Sequence, residues 1–241
     1  MLRCQKCLTI LICLSILAST IPSYAEEEIE DLIDIAESKG KIIAIIKGRK
    51  TISVNLRPKE KVLWSGAKGY LGTFLTNDRF FVISTSSGAW QVLPLKLDES
   101  EKGVVSLSPY IALLVTGDRA IGFDAASNRF IETRLPIHDE LLTAKAEKYV
   151  AVVITSSRAF GLAAETSAFT EIRLRVRETI EAIKITSSKA TIRTSDRLLT
   201  FEASGSTWNV ILQQNSGVGV KPLFYYSNIP THNSRVIYNH S

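Results

Sequence analysis

Four segments of this chain line up through one shared turn. They are Tyr70 to Ile83 (YLGTFLTNDRFFVI), Tyr110 to Phe123 (YIALLVTGDRAIGF), Tyr149 to Leu162 (YVAVVITSSRAFGL) and Lys189 to Phe201 (KATIRTSDRLLTF). The turn threonines Thr76, Thr116, Thr155 and Thr194 are 40, 39 and 39 residues apart. An arginine follows three places later each time, as Arg79, Arg119, Arg158 and Arg197. Fourteen places after each threonine stands an aromatic: Trp90, Phe130, Phe169 and Trp208. Asp78, Asp118 and Asp196 precede three of the arginines, and Ser157 precedes the fourth. Three positions kept in register across four copies mark a structural repeat with a period near 40.

Within a unit the pattern predicts short strands. One unit divides into Gly103–Ser108, Tyr110–Thr116, Arg119–Asp124 and Arg129–Leu135, with β-branched residues in the runs and polar turn residues between them. A single four-stranded sheet leaves two faces open to water. Stacking similar sheets about an axis covers those faces, and the recurring aromatic is the natural packing residue between neighbours. The repeat resembles that of β-propellers of the loose WD40-like or YVTN-like type over roughly residues 29–213. It lacks the Gly-His and Trp-Asp signatures of true WD40 repeats and the double glycine of kelch repeats. The resemblance implies an architecture and no activity. The expected fold is all-β: a propeller of four-stranded antiparallel blades, five in number, with six blades and incomplete ends as the alternative. A transmembrane barrel fits less well, because its strands need about 9–11 residues and a lipid-facing apolar band.

The predicted units run about 29–66, 67–96, 103–136, 141–176 and 180–213, with a partial unit at 217–241. Ile29–Glu37 is expected to match the first strand of a later unit, Ile180–Ser188. Ile42–Leu56 forms a hairpin, and the distance from Lys47 to Thr76 leaves the first unit about one strand short.

The first 25 residues have a different character. Arg3 and Lys6 precede the apolar run Leu8–Ala18, and Ser23-Tyr24-Ala25 ends in small residues before Glu26-Glu27-Glu28. This is the pattern of a secretory signal peptide cleaved near Ala25, and it predicts a periplasmic or secreted protein with one domain over 26–241. Cys4, Cys7 and Cys13 all lie in that segment, so no disulfide or thiolate site is expected beyond it. Removing Arg3 and Lys6 lowers the formal net charge from +5 to +3, too mild a balance to predict a nucleic-acid partner. No later apolar run is long enough to span a membrane.

No HExxH, GxSxG, P-loop or GxGxxG occurs, His138-Asp139-Glu140 is contiguous rather than spaced like a ligand set, and no cofactor or metal is implied. His232, His240 and Gly217-Val218-Gly219 lie in the tail. The remaining candidates are binding residues. The loops between units carry Asp98 and Glu99, then His138, Asp139 and Glu140; Arg173, Arg175 and Arg177 alternate along what reads as an outer strand. Together they predict an exported binding or scaffold module without catalysis. An envelope protein is the expected partner, and an anionic glycan or lipid headgroup suits the arginines. The alternative is an envelope glycan or ester hydrolase with a site assembled from propeller loops.

Overall fold

The computed structural model describes residues 29–49 and 51–212. The expected signal-peptide segment, the expected partial unit at 217–241 and the tail histidines lie outside them.

Nineteen strands form five separate antiparallel sheets among the described residues. The first sheet holds β1 (Ile33–Ser38), β2 (Lys41–Ile46) and β3 (Thr51–Asn55). The second holds β4 (Val62–Lys68), β5 (Leu71–Thr76), β6 (Arg79–Ser84) and β7 (Gln91–Pro94). The third holds β8 (Val104–Leu107), β9 (Ile111–Val115), β10 (Arg119–Asp124) and β11 (Arg129–Arg134). The fourth holds β12 (Leu141–Glu147), β13 (Val150–Thr155), β14 (Arg158–Ala163) and β15 (Thr170–Arg173). The fifth holds β16 (Ile180–Ile185), β17 (Lys189–Thr194), β18 (Arg197–Glu202) and β19 (Thr207–Leu212). Every sheet is a simple meander, each strand pairing with its neighbours in sequence. The strands of a full sheet are termed a, b, c and d in chain order.

Successive sheets stack face to face. Alternation along β9 shows how: Ala112 and Leu114 pack with Leu71, Leu75 and Phe80 of the second sheet, while Ile111, Leu113 and Val115 pack with Val153 and Phe160 of the fourth. Side chains on a strand point to opposite faces in turn, so a strand covered on both sides is apolar throughout. That is why β5, β6, β9 and β13 are buried along their whole length, whereas the d strands β7 and β15 alternate between half-buried and exposed. Clusters around Ile33, Ala44 and Ile83, and around Ile154, Ile192 and Leu199, join the outer pairs of sheets in the same manner.

The structure departs from the sequence reading at the first unit. The expected boundary between residues 66 and 67 falls inside β4, which pairs with β5 as the a strand of the second sheet. Nor does Ile29–Glu37 take the place of a first strand. In the full sheets, the residue just before strand b accepts a hydrogen bond from the residue just after strand c. Thr85 N reaches Tyr70 O at 3.0 Å, Ala164 N reaches Tyr149 O at 2.9 Å, and Ala203 N reaches Ser188 O at 2.9 Å. In the first sheet Lys47 N reaches Leu32 O at 3.0 Å, so β1 is a b strand and the sheet runs b, c, d. The inter-sheet bonds agree: Leu32 N donates to Gly69 O at 2.8 Å just as Tyr70 N donates to Pro109 O at 3.2 Å. Among the described residues, the strand that the first sheet lacks is therefore its a strand.

Candidate functional site

In an antiparallel meander the b–c turns and the connections from d to the next a lie at one end of the sheet. The a–b and c–d turns lie at the other. The first end carries the recurrent threonines and arginines, and each full sheet is locked there by an acid that the sequence reading had not linked to them.

In the fifth sheet, Arg197 Nε donates to Glu178 Oε1 at 2.8 Å and Arg197 Nη2 to Glu178 Oε2 at 3.0 Å, nineteen residues apart in sequence. The Thr194 hydroxyl donates to the same carboxylate and accepts the Arg197 N–H at 3.0 Å. The guanidinium also donates to Arg173 O, at the end of the preceding sheet's d strand. The second sheet repeats this with Glu60, Thr76 and Arg79, whose guanidinium reaches Asn55 O. In the third sheet Arg119 grips Glu99 through Nε and Nη2, both at 2.7 Å. Each arrangement ties the turn of one sheet to the connection arriving from the one before.

The fourth sheet solves the same problem with different residues. Asp139 is one methylene shorter than glutamate and is held by the hydroxyls of Thr155 and Ser157. Arg158 turns instead to Glu171 at 2.9 Å. Ser157, the one exception among the recurrent turn acids, thus occurs in the one sheet with a short latch.

Burial pushes the Glu60 and Glu178 carboxyls up, but hydrogen bonds from arginine, from a backbone N–H and from threonine outweigh it and hold both down at about 2. For Asp139 the same contest, burial against the Ser157 and Thr155 hydroxyls, also ends below the ordinary value.

The latches hold four equivalent β-turns. The N–H of Glu60, Glu99, Asp139 and Glu178 donates to the carbonyl three residues earlier, on Arg57, Lys96, Pro136 and Arg175, at 3.0–3.2 Å. Three glutamates also accept the N–H of that earlier residue: Arg57 at 2.7 Å, Lys96 at 2.6 Å and Arg175 at 2.6 Å. The third turn residue has positive φ in three cases, Lys59 (68°), Asp98 (63°) and Arg177 (68°). That is the geometry of a type II turn, which also explains Pro58 at the second position. The second positions of the other turns carry Leu97, Ile137 and Val176, which are 91%, 83% and 93% exposed. Three aliphatic side chains stand almost fully in water, each at the corner of a turn fixed from below.

The sequence-predicted site residues are distributed around this arrangement. Asp98 and His138 are exposed at the third turn position, and Glu140 follows the third turn, also exposed. Glu99 is buried in its ion pair and Asp139 is half-buried under its hydroxyls, so both carboxylates are engaged internally. Arg173, Arg175 and Arg177 do not share a strand. β15 ends at Arg173, and Leu174 onwards turns into the connection, because Glu178 captures the Arg175 N–H and bends the chain. Arg173 lies 3.2 Å from Glu171 and Arg175 lies 3.9 Å from Asp196.

The recurring aromatics face the preceding sheet. Trp90 packs with Ile35 and Ile52, and Phe130 with Phe80. Phe169 packs beside Gly122, and Trp208 Nε1 donates to Thr170 O at 3.1 Å. Among the described residues no group of three His, Cys, Asp or Glu side chains is placed to hold a metal ion.

The latch acids were visible in the sequence. Glu60, Glu99, Asp139 and Glu178 recur at intervals of 39, 40 and 39, the same period as the threonines. The aliphatics two places before Glu99, Asp139 and Glu178 follow it as well, with Pro58 before Glu60.

Five meander sheets stacked in chain order, with each latch crossing from one sheet to the next, decide the architecture. The fold is a β-propeller. No family model matches the chain and no curated protein matches it. Solved propellers are similar only in general outline. BamB from Moraxella catarrhalis is 13% identical with a TM-score of 0.38, over 75% of this chain and 61% of that one. PorZ, a bacterial surface component of the type-IX secretion system of Porphyromonas gingivalis, is 11% identical with a TM-score of 0.38, over 77% of this chain. This chain spans 27% of the PorZ chain. Prp20p from Saccharomyces cerevisiae is 10% identical with a TM-score of 0.39, over 73% of this chain and 56% of that one.

Proposed function

We propose that this propeller is a non-catalytic binding module, exported to the cell envelope, that docks a partner protein on the end carrying the four latched turns. The observation that supports this reading is the exposure of Leu97, Ile137 and Val176 at equivalent, rigid corners. Single exposed aliphatics are ordinary on a protein surface. Three in register, each fixed beneath by a buried or half-buried acid, form a pre-organised set that loses little entropy on binding. Burying one such side chain is worth roughly 1.5–3 kcal/mol, so a partner covering all three gains several kcal/mol before polar contacts are counted.

Charged residues surround the corners and would set the partner's orientation: Arg57 and Lys59 beside Pro58, Lys96 and Asp98 beside Leu97, Arg175 and Arg177 beside Val176. Such a rim tunes encounter rate and selectivity more than affinity. The envelope setting rests on the signal-peptide pattern of the first 25 residues.

The test is co-purification from crosslinked envelopes with a variant carrying Leu97→Ser, Ile137→Ser and Val176→Ser. The reading requires one reproducible protein species with the parent chain and its loss with the variant, at unchanged thermal stability. Retention of that species by the variant would move the interface elsewhere. Binding only to anionic vesicles or glycans would replace the protein partner with another class.

A further inference from the structure

The four latched turns share a backbone and differ in charge. Taken with their two neighbours, the corner residues read Arg57-Pro58-Lys59, Lys96-Leu97-Asp98, Pro136-Ile137-His138 and Arg175-Val176-Arg177. The Leu97 corner has one charge of each sign, and Lys96 is drawn aside to Asp118 at 2.7 Å. The Ile137 corner is followed by Asp139 and Glu140, with no lysine or arginine in its connection, residues 135–140. Of the four, the Val176 corner alone sets a branched aliphatic between two cations, and all three side chains are exposed.

The latch leaves those two cations unanswered from within. Glu178 is the nearest acid in sequence, but Arg197 and the Arg175 backbone N–H occupy its carboxylate. Asp196 stands 3.9 Å from Arg175 with both side chains about half in water, and an exposed pair at that separation holds weakly. Among the described residues Arg177 has no ion pair. At the end of the same connection's strand, Arg173 and Arg158 share one carboxylate, that of Glu171, which adds to the positive surplus. A guanidinium holds a carboxylate through paired N–H donors and gives up its water readily. An aliphatic contact beside such a pair excludes water and salt, so the pair is screened less than one in open solvent.

Resting on the docking face proposed above, we infer that the Val176 corner receives an acidic segment of the partner protein, with an aliphatic side chain over Val176 and carboxylates on either side of it paired to Arg175 and Arg177. Asp139 and Glu140 repel such a segment at the Ile137 corner, so the charge pattern also fixes which way round the partner sits.

Defined peptides test it. Peptides alternating Glu with Leu, Lys with Leu, Ser with Leu and Glu with Ser are immobilised at high density, and retention of the purified full chain is measured on each. The expected result is retention on the Glu and Leu peptide about tenfold or more above the other three. Arg175→Gln combined with Arg177→Asn should remove that advantage, as should Val176→Ser alone; asparagine tolerates the positive φ of Arg177. Arg57→Gln combined with Lys59→Asn takes the same charge from an equivalent turn and should leave retention within about twofold. An equal loss with that control pair would show diffuse attraction and overturn the assignment to this corner. Equal retention on the Ser and Leu peptide would overturn the charge preference while leaving the aliphatic docking face standing. Equal retention on the Glu and Ser peptide, unchanged by Val176→Ser, would count against the docking face as well. Retention by anionic lipid vesicles with none by any peptide would replace the protein segment with a membrane surface, and no retention on any probe would overturn the inference.

Discussion

Arg197 and Glu178 meet side-on, Nε to Oε1 at 2.8 Å and Nη2 to Oε2 at 3.0 Å, with side chains 9% and 0% exposed. Such a pair does not need to add much net stability to be costly to break. Removing one partner leaves a buried charge without its counterpart, which typically costs 3–5 kcal/mol. Glu178→Ala and Arg197→Ala are each expected to lose about 3 kcal/mol or more, measured as a fall in the urea midpoint. Asp139→Ala is expected to cost less, since hydroxyls rather than a guanidinium hold that carboxylate.

The same latches set an acid limit. The Glu60 and Glu178 carboxyls are held at about 2 in the folded protein, below the ordinary value of 4.5. The unfolded chain therefore binds more protons between those values. Their contribution is complete above about pH 4.5 and is lost as pH falls toward 2, at roughly 3 kcal/mol for each group. Urea denaturation at pH 7, 5, 4 and 3 should show stability falling through the lower part of this range. Glu178→Gln should flatten the fall while lowering stability at pH 7.

Close approach between sheets depends on two glycines. A Cβ at Gly122 would stand 2.2 Å from Leu162 Cδ2, and one at Gly161 would stand 2.6 Å from the Phe201 ring. Gly122→Ala is expected to cost about 1–3 kcal/mol through overpacking. Leu162→Ala in the same chain should recover part of that loss, so the double variant is more stable than the sum of the single effects predicts. Strict additivity in thermal or urea melts would argue against contact between these two positions.

Trp208 joins two sheets by its ring and by its N–H. Trp208→Phe keeps most of the apolar contact with Phe201 but leaves Thr170 O without the indole donor. The expected cost is about 1 kcal/mol. Hydrogen exchange should show the change along β15 and β19 rather than in the first three sheets.

The four full sheets were legible because turn and packing residues recur in register. Strand limits follow directly from Thr116, Arg119 and Phe130 and from their equivalents. The first sheet was not legible, because Ser38 and Lys41 stand where Thr76 and Arg79 stand in the next, so its register is carried by backbone hydrogen bonds that residue types do not report. Charge also drew attention in the connections. Glu99 and Asp139 were read as loop acids open to a partner, yet both are engaged internally, while Leu97 and Ile137 of the same turns stand outward. Sequence spacing identifies the period, but which residue at a given phase faces inward is decided by the hydrogen bonds of the turn.

The docking face is tested most directly by placing a photo-crosslinking side chain singly at Leu97, Ile137 and Val176, and as a control at Tyr149, in the a–b turn region at the opposite end. The account predicts adducts of one common mass from the first three positions in the native envelope and none from Tyr149. An adduct from Tyr149 alone, or no adduct from any corner position in a folded protein, would contradict it.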